Sequence, residues 1–200
     1  MLRREILCIN DHVSDLSEAQ TERLLGLLPD WRRQAALRFK HVEGRRNCAV
    51  GYVELLRGLR LLYGIDEKPT FEPGEHGKPF LAGHPDIHFS ISHCKVAVGC
   101  LVAGCPCGLD IERIRPARES LVRYTMNPQE TEAILADSFP DIAFTRLWTQ
   151  KEAVLKLWGT GITDDLHHVL EPGRLQGIEL HTIVNPLLGY VVTKAVRLPL

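Results

Sequence analysis

Apolar positions recur at three and four over two long stretches, and shorter runs between them alternate or are continuously apolar. The first stretch, from about Glu43 to Tyr63, carries Tyr52, Leu55, Leu56, Leu59 and Leu62, the spacing of a buried helical stripe, and Gly64 is placed to end it. The second covers roughly Ile142 to Trp158 and stops at Gly159-Thr160-Gly161. Ser17-Glu18-Ala19-Gln20 reads as a capping box opening a helix with Leu24, Leu25 and Leu28, which Pro29 stops; an arginine-rich helix follows over Trp31 to Lys40. Asn127-Pro128-Gln129-Glu130 sets Asn at the N-cap, Pro at the first helical position and Glu at the third. Strands are predicted at Ile87 to Ser92, Val96 to Ala103, Cys107 to Glu112, Gly177 to Val184 and Tyr190 to Arg197. Thr70 to Pro85, rich in Gly, Pro and His, reads as an extended loop. Each half offers a long helix and a few strands, divided near Gly104, so the expected class is α+β with antiparallel sheets.

Composition narrows the function classes. With 24 Lys+Arg against 25 Asp+Glu, the net charge of −1 offers no global attraction to nucleic acid or anionic membrane. No apolar run is long enough for a bilayer, and Asn10, Asp11 and Asp15 interrupt the N-terminal segment before a secretory signal forms, so a cytoplasmic location is expected. The 6 cysteines lack zinc-site spacing, because Cys105-Pro106-Cys107 has one intervening residue and no second pair; small buried thiols in strands are expected.

Four segments carry chemistry. In Gly108-Leu109-Asp110-Ile111-Glu112, residues two apart on a strand share a face, so Asp110 and Glu112 converge while Leu109 and Ile111 enter a core. Two adjacent carboxylates suit a divalent cation such as Mg²⁺ completed by substrate phosphate, although a solvated edge strand would look the same. In Trp148 to Lys156, Glu152 and Lys156 are four apart on a helix, with Trp148 one turn earlier on that face; an enclosed site competes with an ordinary surface ion pair. In Phe89-Ser90-Ile91-Ser92-His93, the serines share a face and His93 ends the strand. A basic stretch holding Arg32, Arg33, Arg38, Lys40, His41, Arg45 and Arg46, joined by His76-Gly77-Lys78-Pro79, suits a phosphate monoester or a solvated helix face.

Taken in order, Gly77-Lys78-Pro79, Ser92-His93, Gly108 to Glu112 and Trp148 to Lys156 resemble the 4′-phosphopantetheinyl transferase superfamily, in its larger single-chain, surfactin-synthetase-activator-like class, over about residues 30 to 165. The resemblance implies two similar α/β lobes in pseudo-twofold relation, 1–104 and 105–200, with coenzyme A between them. It implies Asp110, Glu112 and Glu152 as ligands of Mg²⁺, or Mn²⁺ in its place, and Glu152 and Lys156 as catalytic residues. It places Lys78, Ser92, His93 and Lys156 on coenzyme A, with Arg38, Arg45 and Arg46 where the family presents basic residues. Glu130 matches a further family acid. The implied partner is an apo acyl or peptidyl carrier protein, the protein acting as a monomer. Cys94 stands where the family often has serine, Leu109 replaces a β-branched residue, and Thr160 stands where many members have lysine, which weakens the expected hold on coenzyme A. Two other readings use the same residues: a metal-dependent phosphohydrolase, and a carrier-protein binder without catalysis.

Overall fold

The computed structural model describes residues 4–74, 78–161 and 165–198. Strand β1 (Glu5–Asn10) leads through a short 3₁₀ turn to α1 (Glu18–Leu27), α2 (Asp30–Leu37) and the long α3 (Val42–Tyr63). A small hairpin, β2 (Phe71–Pro73) and β3 (Pro79–Leu81), precedes β4 (His88–His93), β5 (Val98–Ala103) and β6 (Cys107–Arg113). Then come α4 (Glu119–Thr125), α5 (Pro128–Ala136), α6 (Pro140–Trp158), β7 (Ile178–Asn185) and β8 (Tyr190–Arg197). The α+β class is as expected. Among the described residues no helix is long and apolar enough to cross a membrane.

The caps form as the sequence predicts. Ser17 and Gln20 make a reciprocal capping box, as do Asn127 and Glu130. Gly64 and Gly159, at φ 70° and 77°, end α3 and α6 in the left-handed conformation that a Cβ would disfavour. Three regions depart from expectation. Thr70 to Pro85 is not loop throughout, since β2 and β3 pair antiparallel as Phe71 with Leu81; strands of three residues carry too little alternation to register. The apolar run Glu5–Asn10 is a sheet edge, and α4 precedes α5.

Two three-stranded antiparallel sheets carry the fold, ordered β1-β5-β4 and β6-β8-β7. Both follow one plan. The first strand is followed by the long helix, and the last strand lies between the other two. Leu55 and Leu59 of α3 pack on Phe89, Cys100 and Val102 of the first sheet. The opposite face of that sheet shares a core with the second through Leu101, Ala103, Leu109, Ile111, Val192 and Val196. Burying Leu109 and Ile111 completely is worth about 1.5–3 kcal/mol each, which fixes the register that turns Asp110 the other way. None of the six cysteines is in a disulfide, and five are buried, as expected of core thiols. Burial pushes the Cys107 thiol up to about 12.

Candidate active site

Helix α6 lies directly on β6. A Cβ at Gly108 would stand 1.9 Å from the Ala153 carbonyl oxygen and 2.5 Å from the Leu157 nitrogen, so only glycine permits the approach. That contact carries Lys156 over the strand to Asp110. The Lys156 ammonium donates to Asp110 Oδ1 at 2.7 Å and to Ser92 Oγ at 2.9 Å. Ser92 in turn donates to Asp110 Oδ1 at 3.0 Å and accepts the Ile111 N–H at 3.1 Å, while Ser90 accepts the Leu109 N–H at 3.0 Å. Two serine hydroxyls therefore tie β4 to the edge of β6, and both belong to the face the alternation assigned them.

The carboxylates are unevenly satisfied. Asp110 is 3% exposed, and among the described residues its buried Oδ2 has no hydrogen-bond partner, nor has the buried Glu152 Oε1. Burial, and then the Asp110 charge, raise the Glu152 pKa, with Glu112 adding to the effect and Lys156 opposing it. The three expected metal ligands thus feel one another. They do not form a ready ligand set: among the described residues no group of three His, Cys, Asp or Glu side chains is placed to hold a metal ion. Lys156 takes Asp110 Oδ1, and Arg115 takes Glu112 Oε2 at 2.6 Å. Still, two orphaned buried carboxylate oxygens are what a divalent cation would satisfy, so the residues fit one.

Glu152 carries a pH prediction. A carboxyl whose folded pKa is raised stabilises the fold below its unfolded pKa, and that contribution is lost as pH rises through the folded value. In metal-free buffer Glu152→Gln is expected to melt above wild type at neutral pH, with the gap closing toward pH ~4, the unfolded pKa of glutamate. A pH-independent gap, followed by calorimetry, would refute the burial of an ionised Glu152.

A groove extends from Lys156. Its first cavity, of about 340 Å³, is lined by Trp31, Tyr52, Phe71, Phe89 and Ile91 with Arg32, Lys78 and Lys156. A second, of about 420 Å³, shares Arg32 and Ile91 and adds Arg38, Asn47 and His93; a third, of about 370 Å³, shares Asn47 and His93 and adds Lys40 and Lys95. Asn47 donates to His93 Nδ1 at 3.4 Å, and burial, then the Lys156 charge, hold the His93 pKa down.

Not every expected site residue reaches this groove freely. Arg45 Nε donates to the Phe39 carbonyl, and Arg46 donates to Thr21 Oγ1 and to the Val13 and Ser14 carbonyls. The Lys78 ammonium is held by the Cys107 and Lys156 carbonyls, and Gly77 lies outside the described residues. Glu130 pairs through Oε2 with Lys151 at 2.6 Å and caps α5. Asn47 and Arg115 escaped the sequence reading; Asn47, on the inward face of α3 one residue beyond the basic stretch, was the more legible of the two.

Comparison with known proteins decides among the readings. A family model described as the 4′-phosphopantetheinyl transferase superfamily matches residues 106–183, the span holding Asp110, Glu112, Glu130, Glu152 and Lys156. The 4′-phosphopantetheinyl transferase HetI of Nostoc sp. is 31% identical over 176 residues, 81% of this chain and 74% of that protein. The chain belongs to the 4′-phosphopantetheinyl transferase superfamily. A 4′-phosphopantetheinyl transferase of Bacillus subtilis is 30% identical over 152 residues, 74% of this chain and 67% of the relative. Another, psf-1 of Bacillus pumilus, is 31% identical over 147 residues, 72% of this chain and 63% of the relative. This transferase therefore carries Asp110 and Lys156 within the matched span and joins them to Ser92 and to a groove lined largely from the first half of the chain.

Proposed function

We propose that the protein transfers the phosphopantetheine group of coenzyme A to a serine of an apo acyl or peptidyl carrier protein, releasing adenosine 3′,5′-bisphosphate. The observation that carries this reading is the Lys156–Asp110–Ser92 cluster at one end of a groove lined farther on by Arg32, Arg38 and His93. The common plan of the two sheets supports a division into similar lobes, 1–104 and 105–200.

In this reading the nucleotide lies along the groove. Arg38 and His93 face its phosphate monoester, and Arg45 shapes the wall through the Phe39 carbonyl it binds. Asp110, Glu112 and Glu152 would hold Mg²⁺ or Mn²⁺, which supplies Lewis-acid neutralisation of the pyrophosphate. Glu152 takes the proton of the attacking serine, a role favoured by a pKa that burial has raised. The serine oxygen forms its bond to the β-phosphorus as the bond to the bridging oxygen breaks. Lys156 stabilises charge arriving on the departing phosphate, so positioning and electrostatics supply most of the rate.

Incubation with coenzyme A, Mg²⁺ and an apo carrier protein is expected to add one phosphopantetheine to the carrier, read by intact mass. Chelation should stop the reaction and Mg²⁺ restore it. Phosphate or nucleotide released without a carrier would instead favour a phosphohydrolase, and carrier binding with no mass change a catalytically silent binder.

A further inference from the structure

Lys78 contributes a half-buried cation to the neighbourhood of the catalytic lysine, yet its ammonium points at backbone. It donates to the Lys156 carbonyl at 2.7 Å and to the Cys107 carbonyl at 2.9 Å. The first is one of the last carbonyls of α6, which no intrahelical N–H reaches. A cation there also complements the negative end of the helix dipole. The second belongs to the first residue of β6, three before Asp110. The side chain passes the end of α6, for a Cβ at Gly159 would stand 3.8 Å from Lys78 Cδ. Its own carbonyl accepts the Gly74 N–H at 2.9 Å, which anchors Lys78 to the β2–β3 hairpin.

Three segments therefore meet on one ammonium: the hairpin, the start of the strand bearing Asp110, and the backbone of Lys156 itself. From that backbone the Lys156 side chain spans to Asp110 Oδ1 and Ser92 Oγ. Glycine at 108 permits the close approach of α6 to β6 but adds no attraction of its own; the Lys78 clamp supplies one at the end where Lys156 sits.

We infer that Lys78 is a positioning residue: by clamping the Lys156 and Cys107 carbonyls together, it sets the Lys156 ammonium on Asp110, and it does so without using its charge on coenzyme A. The inference rests on the transfer reaction proposed above. It assigns Lys78 a different task from the coenzyme A contact that family resemblance implies.

Lys78→Met keeps the length of the stem and removes the donors. The expected result is a fall in kcat of roughly 10- to 100-fold, the scale of a small misplacement of a catalytic group. The Kd for coenzyme A should stay within about threefold of wild type, since no ground-state contact is lost. A second readout needs no transfer reaction. Acetic anhydride labelling followed by mass spectrometry should modify Lys156 several-fold faster in Lys78→Met, because its ammonium is no longer held against Asp110. Lys78→Arg, which keeps a cation at both carbonyls, should regain most of the protection. If Lys78→Met fails to fold, the same measurements are made on Lys78→Gln, which retains donors with a shorter reach, and the same changes are expected. A weakened Kd with kcat and Lys156 labelling unchanged would overturn the inference and make Lys78 a coenzyme A ligand. Unchanged kcat, Kd and labelling would overturn it too. If wild type transfers nothing to any carrier, the reaction reading fails, while the labelling result still decides whether the clamp positions Lys156.

Discussion

Lys156→Ala is expected to lower kcat about 100- to 1000-fold, the loss seen when one donor to a developing oxyanion is removed. The residue sits where two demands meet. Its ammonium is 2.7 Å from the carboxylate of the buried Asp110, and its side chain also lines the cavity that would receive the pyrophosphate. Removing it leaves Asp110 Oδ1 to the Ser92 hydroxyl and Oδ2 with no hydrogen bond among the described residues, a buried-charge cost of about 1–3 kcal/mol. Activity and stability therefore fall together, and a cycle separates them. If Lys156 acts only by holding Asp110 in place, Lys156→Ala should cost nothing further in an Asp110→Asn background. If it acts on the departing phosphate, most of the loss should persist there. Saturating kinetics in both substrates, with the Kd for coenzyme A measured beside them, make the comparison. Unchanged kcat with weaker coenzyme A affinity would reduce Lys156 to a binding residue.

The helices were readable because their signals are local. A capping box at Ser17, another at Asn127, and glycines at 64 and 159 each act within a turn of the residues that announce them. The strand bearing Asp110 was readable for the same reason, since alternation with Leu109 and Ile111 settles which way the carboxylate points. The contacts that make a site of these elements are not local. Ser92 and Asp110 are 18 residues apart, Ser92 and Lys156 are 64 apart, and Lys78 meets the Lys156 carbonyl across 78. No periodicity records such pairings, and only the ordered set of motifs pointed to them. The basic stretch shows the limit on the other side. Its arginines look alike in sequence, but Arg32 and Arg38 line cavities while Arg46 is spent on the carbonyls of Val13 and Ser14. What separates them is the placement of α1 and the 3₁₀ turn against α3, a tertiary fact. The plan shared by the two halves showed in sequence only as a long helix and a few strands in each, because equal topology does not need equal residues.

Lys151 stands inside the Trp148 to Lys156 motif but had no task assigned to it there, and it yields the largest expected effect on stability. Lysine is almost never fully buried unless paired, and this one is 0% exposed. Its position beside Leu147, Val154 and Leu155 on the α6 stripe was the available signal. All three ammonium hydrogens are used: on Glu130 Oε2 at 2.6 Å, the Leu166 carbonyl at 2.8 Å and the Thr125 carbonyl at 3.0 Å. The ammonium thus joins the end of α4, the start of α5 and the 166–168 turn to the helix that carries Glu152 one residue on. Burial pushes its pKa down, and the Glu130 carboxylate opposes the shift. Lys151→Met fits a similar volume but strands one carboxylate and two carbonyls. It is expected to cost about 3–5 kcal/mol, the usual loss on removing one member of a buried ion pair. For a chain of this size that is a fall in Tm of roughly 6–20 °C. Adding Glu130→Gln should recover part of the loss, because the stranded charge disappears while the amide oxygen can still cap the Asn127 N–H that Glu130 now caps. Denaturant unfolding of wild type, both single variants and the double gives the coupling directly. A loss below about 1 kcal/mol in Lys151→Met would mean the pair stabilises no more than a surface bridge. Activity offers the matching check on Glu130: if it serves only as the partner of Lys151, Glu130→Gln should lose activity only as far as it loses folded protein. A fall in kcat at a temperature where the variant is fully folded would give this acid a part in the reaction itself.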